Sequence, residues 1–338
     1  MRIILVGFGT VGQSLARILH LDKARLLTEY GFEPVVTAII DSEGFCTDPN
    51  GLNLATALEV KQKQGTVRKY PGHGRRVSDA SEIISREEAE VLVETTPSNF
   101  KSGEPGLSHI KEALSTGKHV VTSNKGPLVL AMPALLEFAT HKDRKLLFSA
   151  TVGAGTPFLS FASRALPGLR ILRIHGILNG TTNYILTQMD QAGISFSTAL
   201  AEAQAKGYAE ADPRNDVEGI DTAAKIVILG NWILKRNLSL QDVQITGISK
   251  VTNKELMQAR ASGRRIKLIG DLSESGQSVR PEEVAVNDPI CVPGTLNALT
   301  VSTERGGDMT LIGLGAGGDQ TASAIIRDLV DIRREYWA

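Results

Sequence analysis

The sequence predicts an α/β chain in two parts, a first domain of alternating strands and helices around a parallel sheet and a second domain of α+β type. Three observations carry this. Short apolar runs at Ile3–Val6, Val35–Ile40, Val91–Val93, His119–Val121 and Leu146–Phe148 alternate with helical patterns. From about Ala150 the pattern changes, and strands at Val243–Ile248, Arg265–Ile269, Val284–Val286 and Ala298–Val301 follow one another between Gly, Pro, Asn and Asp turns. At Met309–Leu314 a strand, a glycine loop and an amphipathic helix return. The predicted domains are therefore 1–149 with 309–338, and 150–308.

With 338 residues, 42% of them hydrophobic, the chain is long enough for two cores. Its 37 basic and 37 acidic residues cancel, and no long run of one charge points to nucleic acid or an anionic membrane, so a small molecule is the expected partner. The N-terminus enters a strand at once, which predicts no signal peptide. No apolar run approaches the roughly 18 residues of a membrane span, and the expected location is cytoplasmic. Cys46 and Cys291 stand alone, and the six histidines show neither HxxxH nor CxxC spacing, which argues against a disulfide framework and a zinc site.

The first strand runs into Gly7-Phe8-Gly9-Thr10-Val11-Gly12 and a helix with apolar Leu15, Ala16, Ile18 and Leu19. Strand before and helix after make this GxGxxG a dinucleotide fingerprint, and the first domain Rossmann-type. Gly7 permits the tight turn, Gly9 lets backbone approach a pyrophosphate, and Gly12 lets helix and strand pack closely. The second strand ends at Asp41, where a carboxylate would hold the adenosine ribose hydroxyls and disfavour a 2′-phosphate. The interval from Gly12 exceeds the usual spacing of roughly 20 residues because His20–Pro34 extends the crossover. Lys61, Lys63, Arg68 and Lys69 fit either a phosphate clamp or a solvated loop, so NAD and NADP both stay open.

Three later strands run out into Glu94-Thr95-Thr96-Pro97-Ser98-Asn99, Thr122-Ser123-Asn124-Lys125-Gly126-Pro127, and Ser149 through Pro157. Ligands of open parallel sheets bind beyond the carboxyl ends of the strands, so these clusters predict one crevice, with Lys125 its only cation. Helices are expected around Ile110–Leu114 and Met132–Thr140. In the second domain, strand Ile171–Leu178 ends in Asn179-Gly180-Thr181-Thr182-Asn183, which reads as a helix cap before Tyr184–Met189.

The stretch Gly207–Trp232 carries Glu210, Asp212, Asp216, Glu218 and Asp221 ahead of Lys225, the last inside the apolar run Ala223–Leu229. At about 100° per residue Lys225 shares a face with Asp221, Ile228, Leu229 and Trp232, and apolar residues cover most of the rest. The helix is predicted to be buried nearly all round. A lysine there is costly unless carboxylates compensate it, and burial loosens an ammonium's hold on its proton. Two readings fit: a structural ion pair, and a lysine that moves protons. The glycines of Gly315-Ala316-Gly317-Gly318 allow close backbone approach, which suggests that the closing helix Thr321–Tyr336 packs back on the first domain beside a cofactor.

A dinucleotide fold with a lysine among carboxylates, and no well-placed cysteine, points to direct hydride transfer at a carbonyl or alcohol. Surplus carboxylates suit a substrate that carries its own ammonium. A non-catalytic dinucleotide sensor and another amino-acid semialdehyde oxidoreductase are the alternatives.

The ordered motifs GFGTVG (7–12), TSNKGP (122–127), ATVGAGTP (150–157), GILNGTTNYIL (176–186), GYAEADPRNDVEGIDTAAK (207–225) and GAGG-x-x-TASA (315–324) span nearly the whole chain, and together they resemble homoserine dehydrogenase. The resemblance implies reversible, NAD(P)-dependent interconversion of L-homoserine and L-aspartate 4-semialdehyde by a homodimer formed through the second domain. It implies that Lys225 transfers the proton and that Lys125 is a second active-site lysine near nicotinamide and substrate. Glu210, Asp216 and Asp221 would hold the amino acid and position Lys225, with Tyr208 and Thr181 on substrate. Gly7, Gly9, Thr10, Val11 and Gly12 would hold the pyrophosphate, Thr95 and Pro97 would face the cofactor, and Gly317 and Thr321 would belong to a loop closing over it. Two departures stand out. Ser149 replaces a glutamate that often helps bind sodium in the family, leaving the carbonyls of Val152 and Ala154. The chain also ends soon after the closing helix, so neither a C-terminal regulatory domain nor a kinase fusion is expected.

Overall fold

A computed structural model describes residues 1–76 and 79–336, the side chain of Tyr336 excepted; the predicted first domain also takes in residues 77, 78, 337 and 338, which lie outside these. The chain divides into two units, Met1–Ala154 with Gly317–Ala338, and Gly155–Ala316.

The first unit runs β1 (Arg2–Val6), α1 (Thr10–Leu21), α2 (Lys23–Tyr30), β2 (Val35–Ile40), β3 (Gly44–Thr47), α3 (Leu54–Gln64), β4 (Gly74–Arg76), α4 (Ala80–Arg86), β5 (Val91–Glu94), α5 (Gly106–Ser115), β6 (His119–Thr122), α6 (Lys125–His141) and β7 (Leu146–Leu147). Its sheet has the order β4-β3-β2-β1-β5-β6-β7. β2, β1, β5, β6 and β7 are parallel, and β3 and β4 add antiparallel at one edge. Strands covered on both faces are apolar throughout, which is why the short runs were legible. β3 and β4 were not, because Gly44–Thr47 and Gly74–Arg76 are too short and mixed to show alternation.

α6 begins at Lys125, seven residues earlier than the sequence suggested from Met132. Asn124 caps it, its side-chain oxygen accepting from the Gly126 amide at 2.9 Å. Pro127 is tolerated in a first turn, where no intrahelical partner for its missing N–H is lost. The helix breaks at Ala131 (φ −146°), just ahead of Pro133, and the broken pattern hid its first half.

The second unit contains α7 (Phe158–Ser160), β8 (Ile171–Ile177), α8 (Gly180–Ala192), α9 (Phe196–Ala205), α10 (Arg214–Val217), α11 (Ile220–Ile233), β9 (Gln244–Ile245), α12 (Asn253–Ala261), β10 (Arg264–Ser273), β11 (Gly276–Ala285), β12 (Leu296–Thr303) and β13 (Gly307–Leu314). Its sheet, β13-β12-β8-β10-β11-β9, is antiparallel except at the β11–β9 edge. The run Val243–Ile248 contributes only the two residues of β9. β13 corrects the expected boundary at 309. It pairs with β12 from Leu296–Leu314 to Thr303–Gly307 and so belongs to the second unit. α11 lies close on β10, because a Cβ on Gly270 would sit 3.0 Å from Ile226 and 3.1 Å from Thr222.

α13 (Gly318–Tyr336) returns to the first unit, where Ala322, Ala324, Ile325, Leu329 and Ile332 join the core built by β1, β2, β5 and α1. This is the packing onto the first domain that the sequence suggested. α13 also brings Asp328 into that unit at 1% exposure, where the Ser149 amide donates to its carboxylate at 2.9 Å. Burial pushes this carboxyl up to about 7 despite the Ser149 hydrogen bonds. A folded-state value raised above the unfolded one gives stability that is present below the ordinary carboxylate range and lost as pH rises through about 7. Asp328→Asn, neutral at every pH, is therefore expected to melt on the order of 2–6 °C above the parent at pH 8 and close to it at pH 4, as thermal melts at the two pH values will show. Among the described residues no helix is long and apolar enough to cross a membrane.

Candidate active site

In the first unit the strand order turns around between β1 and β5, and the glycine loop lies at that point. Thr95 locks the two strand ends together, its amide and hydroxyl donating to the Val6 carbonyl at 2.8 and 3.0 Å and its hydroxyl also to the Gly7 carbonyl at 2.6 Å. Gly7 has φ +92°, and a Cβ there would lie 2.6 Å from the Thr95 backbone; one on Gly12 would lie 2.1 Å from the Gly7 carbonyl. At Gly9 no atom lies within 4 Å of the Cβ position, and no side chain caps α1, which starts at exposed Thr10 and half-buried Val11. Open space above uncapped helix amides fits the pyrophosphate of a dinucleotide. Gly318 packs on Thr10 and Ser14 of α1, and Arg17 pairs with Asp319, which seats the C-terminal glycine loop beside the fingerprint. Gly317 takes φ +122°, and the Thr321 hydroxyl donates back to its carbonyl at 2.8 Å.

Asp41 is not the open carboxylate that the sequence suggested for a ribose. Its oxygens accept from the Glu43 and Gly44 amides at 2.9 and 3.0 Å, the Thr66 hydroxyl at 3.0 Å, the Lys61 ammonium at 2.8 Å and the Val67 amide at 2.9 Å. Burial pushes this carboxyl up, but Lys61 and the amides outweigh it and hold the group below its ordinary range. The residue fixes the turn after β2, and Lys61 neutralises it. Arg68 meets Glu43 at 3.7 Å, while Lys63 pairs with Glu59 on the surface of α3.

The ends of β5 and β6 form a buried polar network that presents Lys125. Glu94 is wholly buried; its carboxylate accepts from the amide and hydroxyl of Thr96 and from the Thr122 hydroxyl at 3.1 Å. The Asn124 side-chain nitrogen donates to the Thr96 hydroxyl at 3.1 Å and to the Pro97 carbonyl at 3.3 Å, and the Lys125 amide donates to the Ser98 hydroxyl at 2.9 Å. His109 approaches Glu94 to 3.7 Å. Lys125 is thus held at the first turn of α6, beside the strand end that carries Thr95 and exposed Pro97.

In the second unit the lysine helix behaves as its pattern predicted, with every residue from Thr222 to Asn231 buried. The Lys225 ammonium lies 2.8 Å from the Asp221 carboxylate and donates to the Leu178 carbonyl at 2.5 Å. Asn179 joins this pair to a second carboxylate. Its side-chain nitrogen donates to Asp216 at 2.6 Å and to Asp221 at 3.1 Å, while its oxygen accepts from the Thr182 amide at 2.9 Å and caps α8. Asp216–Asn179–Asp221–Lys225 is therefore one connected chain. The sequence offered only the capping half of Asn179's role.

Thr181 and Tyr208 also come together, the Thr181 hydroxyl donating to the Tyr208 carbonyl at 2.6 Å. The exposed Tyr208 ring lies tilted at 59° to that of Tyr184, with centroids 5.0 Å apart, and the Tyr184 hydroxyl accepts from Lys206 at 2.7 Å. Glu210 is exposed on the same loop, anchored through its backbone carbonyl by Gln204 at 3.1 Å. Asp212 instead pairs with Arg214, which holds its carboxyl down at about 2. Val152 and Ala154 are buried on a tight turn in which Gly153 and Ala154 take φ 85° and 46°. Among the described residues no group of three or more His, Cys, Asp or Glu side chains could hold a metal ion.

Two family models match the chain: one for homoserine dehydrogenase over residues 157–330, and one for the homoserine dehydrogenase NAD-binding domain over residues 7–149. A homoserine dehydrogenase of Methanocaldococcus jannaschii is 45% identical over 98% of both chains. An NAD(+)-dependent homoserine dehydrogenase of Pseudomonas canavaninivorans is 35% identical over 98% of this chain and 96% of its own. Among solved structures, a hyperthermophilic archaeal homoserine dehydrogenase in complex with NADPH superposes with a TM-score of 0.86 at 29% identity, covering 99% of this chain and 98% of that one. With both units matched and the lysine–carboxylate network and glycine fingerprint in place, the chain belongs to the homoserine dehydrogenase family.

Proposed function

We propose that this chain catalyses the reversible, NAD(P)-dependent interconversion of L-homoserine and L-aspartate 4-semialdehyde, on the route from aspartate to threonine and methionine. The observation that carries this is Lys225, a buried ammonium steered by Asp221 at 2.8 Å and by the Leu178 carbonyl. Gly7, Gly9, Thr10, Val11 and Gly12 bind the pyrophosphate, Thr95 and Pro97 face the cofactor, and Gly317 and Thr321 close over it. The dinucleotide, when bound, exchanges a hydride with the carbon that becomes alcohol or aldehyde. Lys225 donates a proton to the aldehyde oxygen in reduction and takes the hydroxyl proton in oxidation. Asp216 and Glu210 receive the amino-acid ammonium, Tyr208 and Thr181 contact the substrate, and Lys125 orients it.

Initial rates with homoserine, a panel of other amino alcohols and each dinucleotide test the reading. Homoserine should be the best substrate; no turnover, or a better rate with another amino alcohol, would overturn it. Because Lys61 neutralises Asp41, both NAD and NADP are expected to serve. Lys61→Ala leaves that carboxylate uncompensated and should lower kcat/KM for NADP about tenfold more than for NAD, since like charge disfavours a 2′-phosphate. An equal loss would show that Asp41 does not sense the ribose. Exposed Ile312 and Leu314 on the edge strand β13 support a homodimer through the second unit, which a monomer mass in light scattering would refute. A monovalent cation on the carbonyls of Val152 and Ala154 belongs to the reading only if rates respond to sodium or potassium.

A further inference from the structure

Asn297, on β12, is wholly buried, yet neither the oxygen nor the nitrogen of its carboxamide has a hydrogen-bond partner. Buried side-chain amides are nearly always paired, so this orphan calls for a partner that the fold alone does not supply. The carboxamide lies directly on Gly315, its nitrogen 1.8 Å and its oxygen 2.7 Å from where a Cβ of that glycine would stand. Only glycine fits there. One residue pair away, Asn297 registers with Gly313, whose missing Cβ would lie 2.2 Å from the Thr156 hydroxyl; that hydroxyl also donates to the Leu314 carbonyl at 3.3 Å. The segment from Gly313 to Gly315 thus runs bare-backed between two polar side chains, and it leads straight into Gly317 and α13.

We infer that Asn297 is a positioning residue for dinucleotide binding: when the 315–318 loop closes on the bound dinucleotide, the Gly315 peptide turns and pairs with the Asn297 carboxamide. The bound state gains a hydrogen bond that the free state lacks, so the side chain acts on affinity through the loop. This rests on the proposed role of Gly317 and Thr321 as part of the closing loop.

Asn297→Leu separates this from a structural role. The variant should keep or raise the melting temperature of the dinucleotide-free protein, since it removes an unpaired amide. It should bind the dinucleotide about tenfold more weakly, with KM for the dinucleotide raised and kcat at saturation little changed. A lower melting temperature with an unchanged dissociation constant would overturn the inference. Hydrogen exchange of the unmodified chain supplies a reading independent of how the variant folds. Added dinucleotide should protect the Gly315 and Ala316 amides, and unaltered exchange there, in a protein that does bind, would also overturn it. If the unmodified chain bound no dinucleotide, the functional reading itself would fall, and this inference with it.

Discussion

Lys225→Ala is expected to lower kcat for homoserine oxidation by about 10²- to 10⁴-fold, the range that a positioned proton donor supplies. Its ammonium is shared between Asp221 and the Leu178 carbonyl, and alanine leaves both without that donor as well as removing the proposed proton carrier. Lys225→Arg should fail almost as badly although it keeps the charge, because guanidinium does not release a proton near neutrality and its planar fork does not fit a site built for a compact ammonium. Steady-state rates at saturating homoserine and dinucleotide check both variants, with dinucleotide affinity measured alongside. Affinity should hold, since Gly7, Gly9 and Gly12 belong to the other unit. A kcat within tenfold of the parent would remove Lys225 from the chemistry.

The second large effect is expected at Asn179. Asn179→Asp is nearly isosteric and keeps an oxygen for the α8 cap, but it replaces the nitrogen that now donates to Asp216 at 2.6 Å and Asp221 at 3.1 Å. Three carboxylates then crowd one site, and like charges at that separation repel strongly. We expect kcat/KM for homoserine to fall about 100-fold at neutral pH and to recover in part as pH is lowered, because protonating the added carboxyl restores a donor. Asn179→Ser retains a cap without the bridging amide and should lose about tenfold, with no recovery on acidification, as expected for a lost hydrogen bond without added charge. If both variants kept kcat/KM within threefold, Asn179 would be a cap and nothing more.

How much of this was legible follows from the range of each interaction. The lysine helix and its Asp221 partner are local, four residues apart on one face, and they announced themselves together with the apolar run around them. The glycine fingerprint was equally local, and the strand ends were readable because parallel strands buried on both faces are continuous apolar runs. Asn179 was only half legible: its cap reaches three residues, whereas its carboxylate partners lie 37 and 42 residues away. Asp41 shows the same limit in reverse. Its position at the end of β2 suggested a ribose ligand, and donors 20 to 26 residues downstream have taken its oxygens. β13 followed a similar logic, since its strand pattern was plain and its sheet was decided by pairing with β12. The clusters at the ends of β5 and β6 were foreseen, but the hydrogen bonding of Glu94 within them was not, because a lone glutamate at a strand end carries no signal until its hydroxyl partners from β6 and the 95–98 loop are in place.

Lys225 is proposed to move the proton of the reaction. Single-turnover reduction of L-aspartate 4-semialdehyde by protein preloaded with reduced dinucleotide tests it most directly, because substrate is supplied at saturation and only the chemical step is read. The unmodified chain should oxidise its dinucleotide rapidly on mixing, and Lys225→Ala should do so about 10²- to 10⁴-fold more slowly with the same dinucleotide occupancy. Equal single-turnover rates for the two proteins would contradict it.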